Sequence, residues 1–134
     1  ATNIVPGTLA MDFNFRFSTA STERDLRERL EGVLRRHGLD FSLDWTLSGL
    51  PFLTQPGELV AAVKDAIRRT TGIEAELSTS GGTSDGRFIA DICEQIVEVG
   101  PVNSSAHKLD EFVDRETLRQ LPRIYLDVLR TLLH

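Results

Sequence analysis

From Leu9 to Phe17 a large apolar side chain stands at every second position: Leu9, Met11, Phe13, Phe15 and Phe17, with Ala10, Asp12, Asn14 and Arg16 between them. A period of two lines one face of an extended chain, so this segment predicts a half-buried strand, and whatever follows must cover that face. Thr22 is placed to cap a helix, and Leu26, Leu30, Val33 and Leu34 recur at helical spacing until Gly38, which allows a left-handed stop. The spacing predicts an amphipathic helix over 22–37. Alternation returns at Phe41, Leu43, Trp45 and Leu47, giving a second strand, so the first part reads as β-α-β.

The strings SGLPF (48–52) and TQPG (54–57) are rich in turn residues and mark a boundary between residues 1–50 and 51–134. Beyond it, Leu59, Val63, Ala66 and Ile67 predict a helix ending near Gly72, and residues 73–77 a short strand. STSGGTSDG (78–86) carries three glycines and reads as a shaped loop, leading into a short helix over 87–90. Residues 95–99 predict a strand, GPVNSSAHKLDE (100–111) a second polar loop, and 114–133 a long terminal helix that Pro122 should kink or break. The fold class is therefore α/β (α+β), a β-α-β piece followed by an α-β-loop-β-α piece.

Charge and apolar content narrow the partners. The 134 residues carry a net charge of -5, with basic residues dispersed beyond Arg35-Arg36 and Arg68-Arg69, which argues against a nucleic-acid partner because a phosphate backbone calls for a continuous cationic surface. The longest apolar run, Leu59 to Val63, falls far short of the roughly 18 residues of a membrane span, so no membrane association is expected. Cys93 is the single cysteine, which forbids an internal disulfide, makes a cytoplasmic setting the default, and leaves that side chain to pack rather than react. The opening ATNIVPG lacks both a signal-peptide layout and an initiator Met, and reads as a chain entered midway.

Three polar elements fall at predicted strand or loop ends, where sites in sheet proteins gather. His107 follows a strand with Asn103 four residues before it and Glu111 four after; such an imidazole either binds a metal with a carboxylate orienting it, or is a hydrogen-bonded loop histidine. GGTSDGR (81–87) exposes main-chain N–H groups and hydroxyls to an anionic or carbonyl group, or forms a tight turn, and it lacks the Lys-Ser/Thr ending of a P-loop. Arg16, with Ser48 just after the second strand, offers a planar fork to a carboxylate, or pairs with Asp12 or Asp44 on the surface. Ser84, His107 and Asp110 would make a hydrolytic triad on paper, but no GxSxG elbow is present.

The strings NIVPG (3–7), FNFRFS (13–18), LSGLPFLT (47–54), GGTSDGRFIA (81–90) and GPVNSSAHKLDE (100–111) together resemble the di-zinc aminoacylase and carboxypeptidase group of metallohydrolases, in order and spacing through essentially the whole chain. Within that group, GGTSDGRFIA followed by PVN and a histidine resembles the branch that acts on succinylated diamino acids. The resemblance implies hydrolysis of the succinyl amide of N-succinyl-LL-2,6-diaminopimelate to succinate and LL-diaminopimelate, with a small-molecule substrate and a homodimeric enzyme. It implies two Zn2+ ions per site, with Co2+ as a substitute. Under it His107 matches the group's last metal ligand. Gly82, Thr83 and Asn103 match substrate-lining positions, Arg16 and Ser48 match groups holding the substrate's carboxylate end, and Asn3 matches an asparagine reaching the partner subunit's site. The group's other ligands and its catalytic glutamate have no counterpart, since no HxD or EE string occurs. The chain is thus expected to hold no catalytic residue, to be the C-terminal part of a longer enzyme, and to be inactive alone: 1–50 the end of a lid or dimerisation domain, 51–134 the end of a catalytic domain. A relative acting on another acyl group, such as an acetylornithine deacetylase, or a dimerisation module that is not an enzyme, are the competing readings.

Overall fold

The structure, a computed structural model, describes residues 3–82, 84–102 and 104–133. It divides into two compact units, Ala1–Pro51 and Phe52–His134.

The first unit carries one helix, α1 (Glu23–Arg36). Its start is a capping box: Thr22 Oγ1 accepts from the Asp25 N–H at 3.1 Å, and the Thr22 N–H donates to Asp25 Oδ2 at 3.2 Å, so two orphan donors are satisfied reciprocally. Hydrogen bonding by Thr22, through its side chain and then its main chain, holds the Asp25 carboxyl below its ordinary value of 3.8. At the other end the His37 N–H returns to Val33 O, and Gly38 takes the left-handed conformation, φ 64°. Aromatic side chains join the helix to the flanking segments. Phe15 stacks on Trp45 with centroids 6.2 Å apart, Phe13 meets Phe15 edge-on at 5.7 Å, and the Arg27 guanidinium lies 5.2 Å from the Trp45 centroid.

In the second unit α2 (Glu58–Thr71) packs against the terminal helix, and α3 (Gly86–Ile89) is a single turn between them in sequence. The terminal helix, α4 (Arg115–Leu132), starts at Asp114, whose carboxylate accepts from the N–H groups of Glu116 and Thr117 at 2.8 and 3.1 Å. Val60, Ala62, Val63 and Ala66 on α2, with Ile124 on α4, form the buried apolar core. Arg69 and Asp127 close its rim with an ion pair at 2.8 Å. Helix α2 has no side-chain cap at Gly57; the Leu59 N–H is instead met by Gln95 Oε1 at 3.1 Å. A Cβ at Gly57 would meet the amide end of that Gln95 side chain, which would have to shift. Gly72 ends the helix in the left-handed conformation, φ 75°.

Two sequence expectations, the strands and the packed Cys93, are corrected, and one of two alternatives is removed for Pro122 and for Arg16. The segments 9–17, 41–47, 73–77 and 95–99 form no strand among the described residues, so the β-α-β and α-β-loop-β-α pieces are not formed as sheets. Alternation states that one face wants burial; a ladder further needs a second backbone to receive the N–H and C=O groups. Here 9–17 and 41–47 meet through rings, and the apolar side of the first stays open, Leu9 being 79% and Met11 68% exposed. Pro122 does not interrupt α4, which runs from Arg115 to Leu132 as one helix; the lost amide faces Leu118, itself exposed, where water can serve the carbonyl. Cys93 is exposed rather than packed. Finally, no ion pair links Arg16 to Asp12 or Asp44 among the described residues.

Candidate functional site

Within the second unit the glycine loop and the segment 97–100 share a cleft of about 810 Å3, lined by Gly81, Gly82, Ser84, Glu98 and Gly100 on its polar side and by Leu59, Val63, Ile124 and Val128 on its apolar side. Its walls are tied together by main-chain partners. Thr54 Oγ1 donates to Ile96 O at 2.7 Å and accepts from the Ile96 N–H at 3.0 Å. The Tyr125 hydroxyl donates to Val99 O at 2.7 Å. The Ser84 hydroxyl donates to Glu98 Oε1 and accepts from the Gly86 N–H. A Cβ at Gly86 would stand 3.1 to 3.3 Å from Ser84 Oγ, Glu98 Oε1 and Ile96 Cγ2. A side chain there would therefore press on the contact between the loop and the 96–98 segment. Gly82 lies on the cleft wall with room around it, no atom coming within 4 Å of a Cβ built there. The Ser84 hydroxyl thus has Glu98 as its acceptor.

His107 sits on a loop closed by a buried hydroxyl. Ser105, 7% exposed, donates to Phe112 O at 2.7 Å and accepts from the Phe112 N–H at 3.1 Å. Inside that closure the Lys108 N–H returns to Ser105 O, the Lys108 ammonium reaches Ser104 O at 2.6 Å, and the Glu111 carboxylate accepts from the His107 N–H at 3.3 Å. His107 and Asp110 both take left-handed conformations, φ 61° and 58°, which L side chains adopt at a cost of about 1 kcal/mol or more. The His107 side chain is exposed. Glu111 thus meets the main chain of His107. The sequence alone placed the carboxylate beside the imidazole.

Arg16 and Ser48 belong to the first unit and are exposed, as is Asn3. Thr83 and Asn103 lie outside the described residues. Sequence reasoning passed over Ser105, Glu98 and the left-handed backbone at His107. Only the hydroxyl-rich SS pair at 104–105 hinted at the first.

Among the described residues no group of three His, Cys, Asp or Glu side chains comes together to hold a metal ion. A zinc site takes three or four protein donors. His107 has a single imidazole to offer and the Glu111 carboxylate accepts from the His107 main-chain N–H, so these residues do not by themselves make up the closed donor set of a di-zinc centre. No described helix is long and apolar enough to cross a membrane.

Residues 2–131 match the model of peptidase family M20/M25/M40. The chain is 59% identical over 135 residues to a succinyl-diaminopimelate desuccinylase of Acidovorax ebreus, covering 98% of the chain and 34% of that relative. It is 58% identical over 133 residues to the enzyme of that name from Nitrosospira multiformis, covering 99% and 35%. To that of a Polaromonas species it is 55% identical over 132 residues, covering 98% and 31%. The chain spans about a third of the length of these relatives. The match of one family model to nearly every residue settles the grouping that the strings at 81–90 and 100–111 had suggested: the chain belongs to peptidase family M20/M25/M40.

Proposed function

We propose that the chain is the C-terminal part of a succinyl-diaminopimelate desuccinylase, hydrolysing the linear succinyl amide of N-succinyl-LL-2,6-diaminopimelate to succinate and LL-diaminopimelate. The observation that carries this reading is the 59% identity over 98% of the chain to a protein of that name. Water adds to the amide carbonyl, the C–N bond breaks, and the departing amine takes up the proton. In this reading residues 1–50 belong to a lid or dimerisation domain and 51–134 to the catalytic domain, in a cytoplasmic homodimer.

The roles within the chain are those that the match to the family's pattern implies, and each suits the chemistry of its side chain. Arg16 presents a two-pronged cation to a carboxylate and Ser48 adds a hydroxyl. Gly82 leaves the cleft wall bare of side chain, so that substrate can approach the backbone, and Thr83 and Asn103 supply further hydrogen bonds. Asn3 reaches the second protomer's site. His107 offers one imidazole donor to a Zn2+ or Co2+ centre whose remaining donors the described residues do not supply.

The test compares the complete enzyme with its His107→Ala form on N-succinyl-LL-2,6-diaminopimelate and on N-acetylornithine. Preference for the succinyl substrate, with at least a hundredfold loss in His107→Ala, is the expected result. Preference for the acetyl substrate, or full activity without His107, overturns the reading. The isolated 134-residue chain is expected to be inactive on both.

A further inference from the structure

The loop bearing His107 combines two observations that belong together. It holds two residues other than glycine in left-handed backbone, His107 at φ 61° and Asp110 at φ 58°. Such conformations persist only where the surroundings enforce them. Its two ends are joined by one buried side chain, Ser105, whose hydroxyl both donates to Phe112 O and accepts from the Phe112 N–H. The remaining bonds of the loop, Lys108 N–H to Ser105 O, Lys108 ammonium to Ser104 O and His107 N–H to Glu111, all span residues lying between Ser104 and Phe112. The Ser105 hydroxyl is the clasp that keeps these ends together.

We infer that Ser105 is a positioning residue: by clasping both main-chain polar groups of Phe112 it enforces the left-handed backbone at His107 and so sets the direction of the imidazole. The functional weight of this rests on the reading of His107 given above; the geometry it describes does not. Removing the hydroxyl frees the ends of the loop, lets residues 107 and 110 relax to ordinary conformations, and leaves the imidazole without a fixed direction. A residue with a hydroxyl on Cβ restores the clasp.

The test is amide hydrogen exchange and ring NMR on the 134-residue chain. In Ser105→Ala the Phe112 and Lys108 amides should exchange roughly tenfold faster, as expected for loss of about one net hydrogen bond in a local opening. The His107 ring cross-peaks should shift, and the amides of α2 should exchange as before. Ser105→Thr should return the ring signals toward their original positions, which a general packing defect would not do. Should Ser105→Ala perturb folding, the Asp110→Gly chain supplies a second measurement. Glycine carries no left-handed penalty, so the effect of Ser105→Ala should be smaller in that background than in the parent. Unchanged Phe112 exchange and unchanged His107 ring signals in Ser105→Ala, or equal effects in both backgrounds, would overturn the inference. If these signals move as expected while the complete enzyme stays active without His107, the positioning stands and the catalytic reading falls.

Discussion

Thr54 meets both main-chain polar groups of Ile96 with a single hydroxyl, donating to the carbonyl at 2.7 Å and accepting from the N–H at 3.0 Å. One side chain here does for Ile96 what a neighbouring strand does in a sheet. It also joins the start of the second unit to the segment that walls the cleft. Replacing Thr54 by Val keeps the shape and leaves two half-buried main-chain groups without that partner, at a cost of about 1–3 kcal/mol. The expected outcome is a lower unfolding midpoint in urea, followed through the single Tyr125, with Thr54→Ser close to the parent.

At the start of α1 the capping box joins Thr22 and Asp25. Thr22→Ala should destabilise the first unit by about 1 kcal/mol, read from the fluorescence of the single Trp45. The folded-state value of Asp25 lies below its ordinary 3.8, so its contribution is fully present above that value and is lost as pH falls through the lower folded value. Asp25→Asn should therefore flatten the acid limb of the Trp45 unfolding profile below about pH 4. An acid limb identical to that of the parent would refute this account of the cap.

Ile124 is the one buried apolar residue that α4 contributes to a core otherwise supplied by α2. Ile124→Ala should cost about 2–3 kcal/mol, the lower part of the usual range for such truncations, because the side chain also borders the open cleft and the site already meets solvent on one side. Urea unfolding followed at Tyr125 measures it.

Pro122 lies inside α4 without ending it. Pro122→Ala restores an amide donor and removes the ring, and should stabilise α4 by up to about 3 kcal/mol. Slower exchange of the α4 amides would show this. No change would mean that the helix is already distorted at that turn.

The helices were legible because their signals are local: Thr22 as a cap, Gly38 and Gly72 as stops, and apolar spacing that repeats every three or four residues. The strings at 81–90 and 100–111 likewise pointed to the family, since an imidazole, glycines and hydroxyls at set positions are a property of the sequence. The segments read as strands were legible only in part. Leu9 through Phe17 records which face should be buried, but a ladder depends on a backbone supplied by another segment, and among the described residues the chain offers Phe15 a ring, at Trp45, and Ile96 a hydroxyl, at Thr54.

The conformation of the His107 loop was decided by tertiary structure alone. Nothing in the string SSAHKLDE distinguishes a left-handed histidine from a right-handed one, because intrinsic preference disfavours the left-handed form. What reverses that preference is a buried hydroxyl seven residues from its main-chain partner. The sequence by itself determined the helices, their ends and the identity of the donors. Where those donors are held was determined by hydrogen bonds between residues that only folding brings within 3 Å.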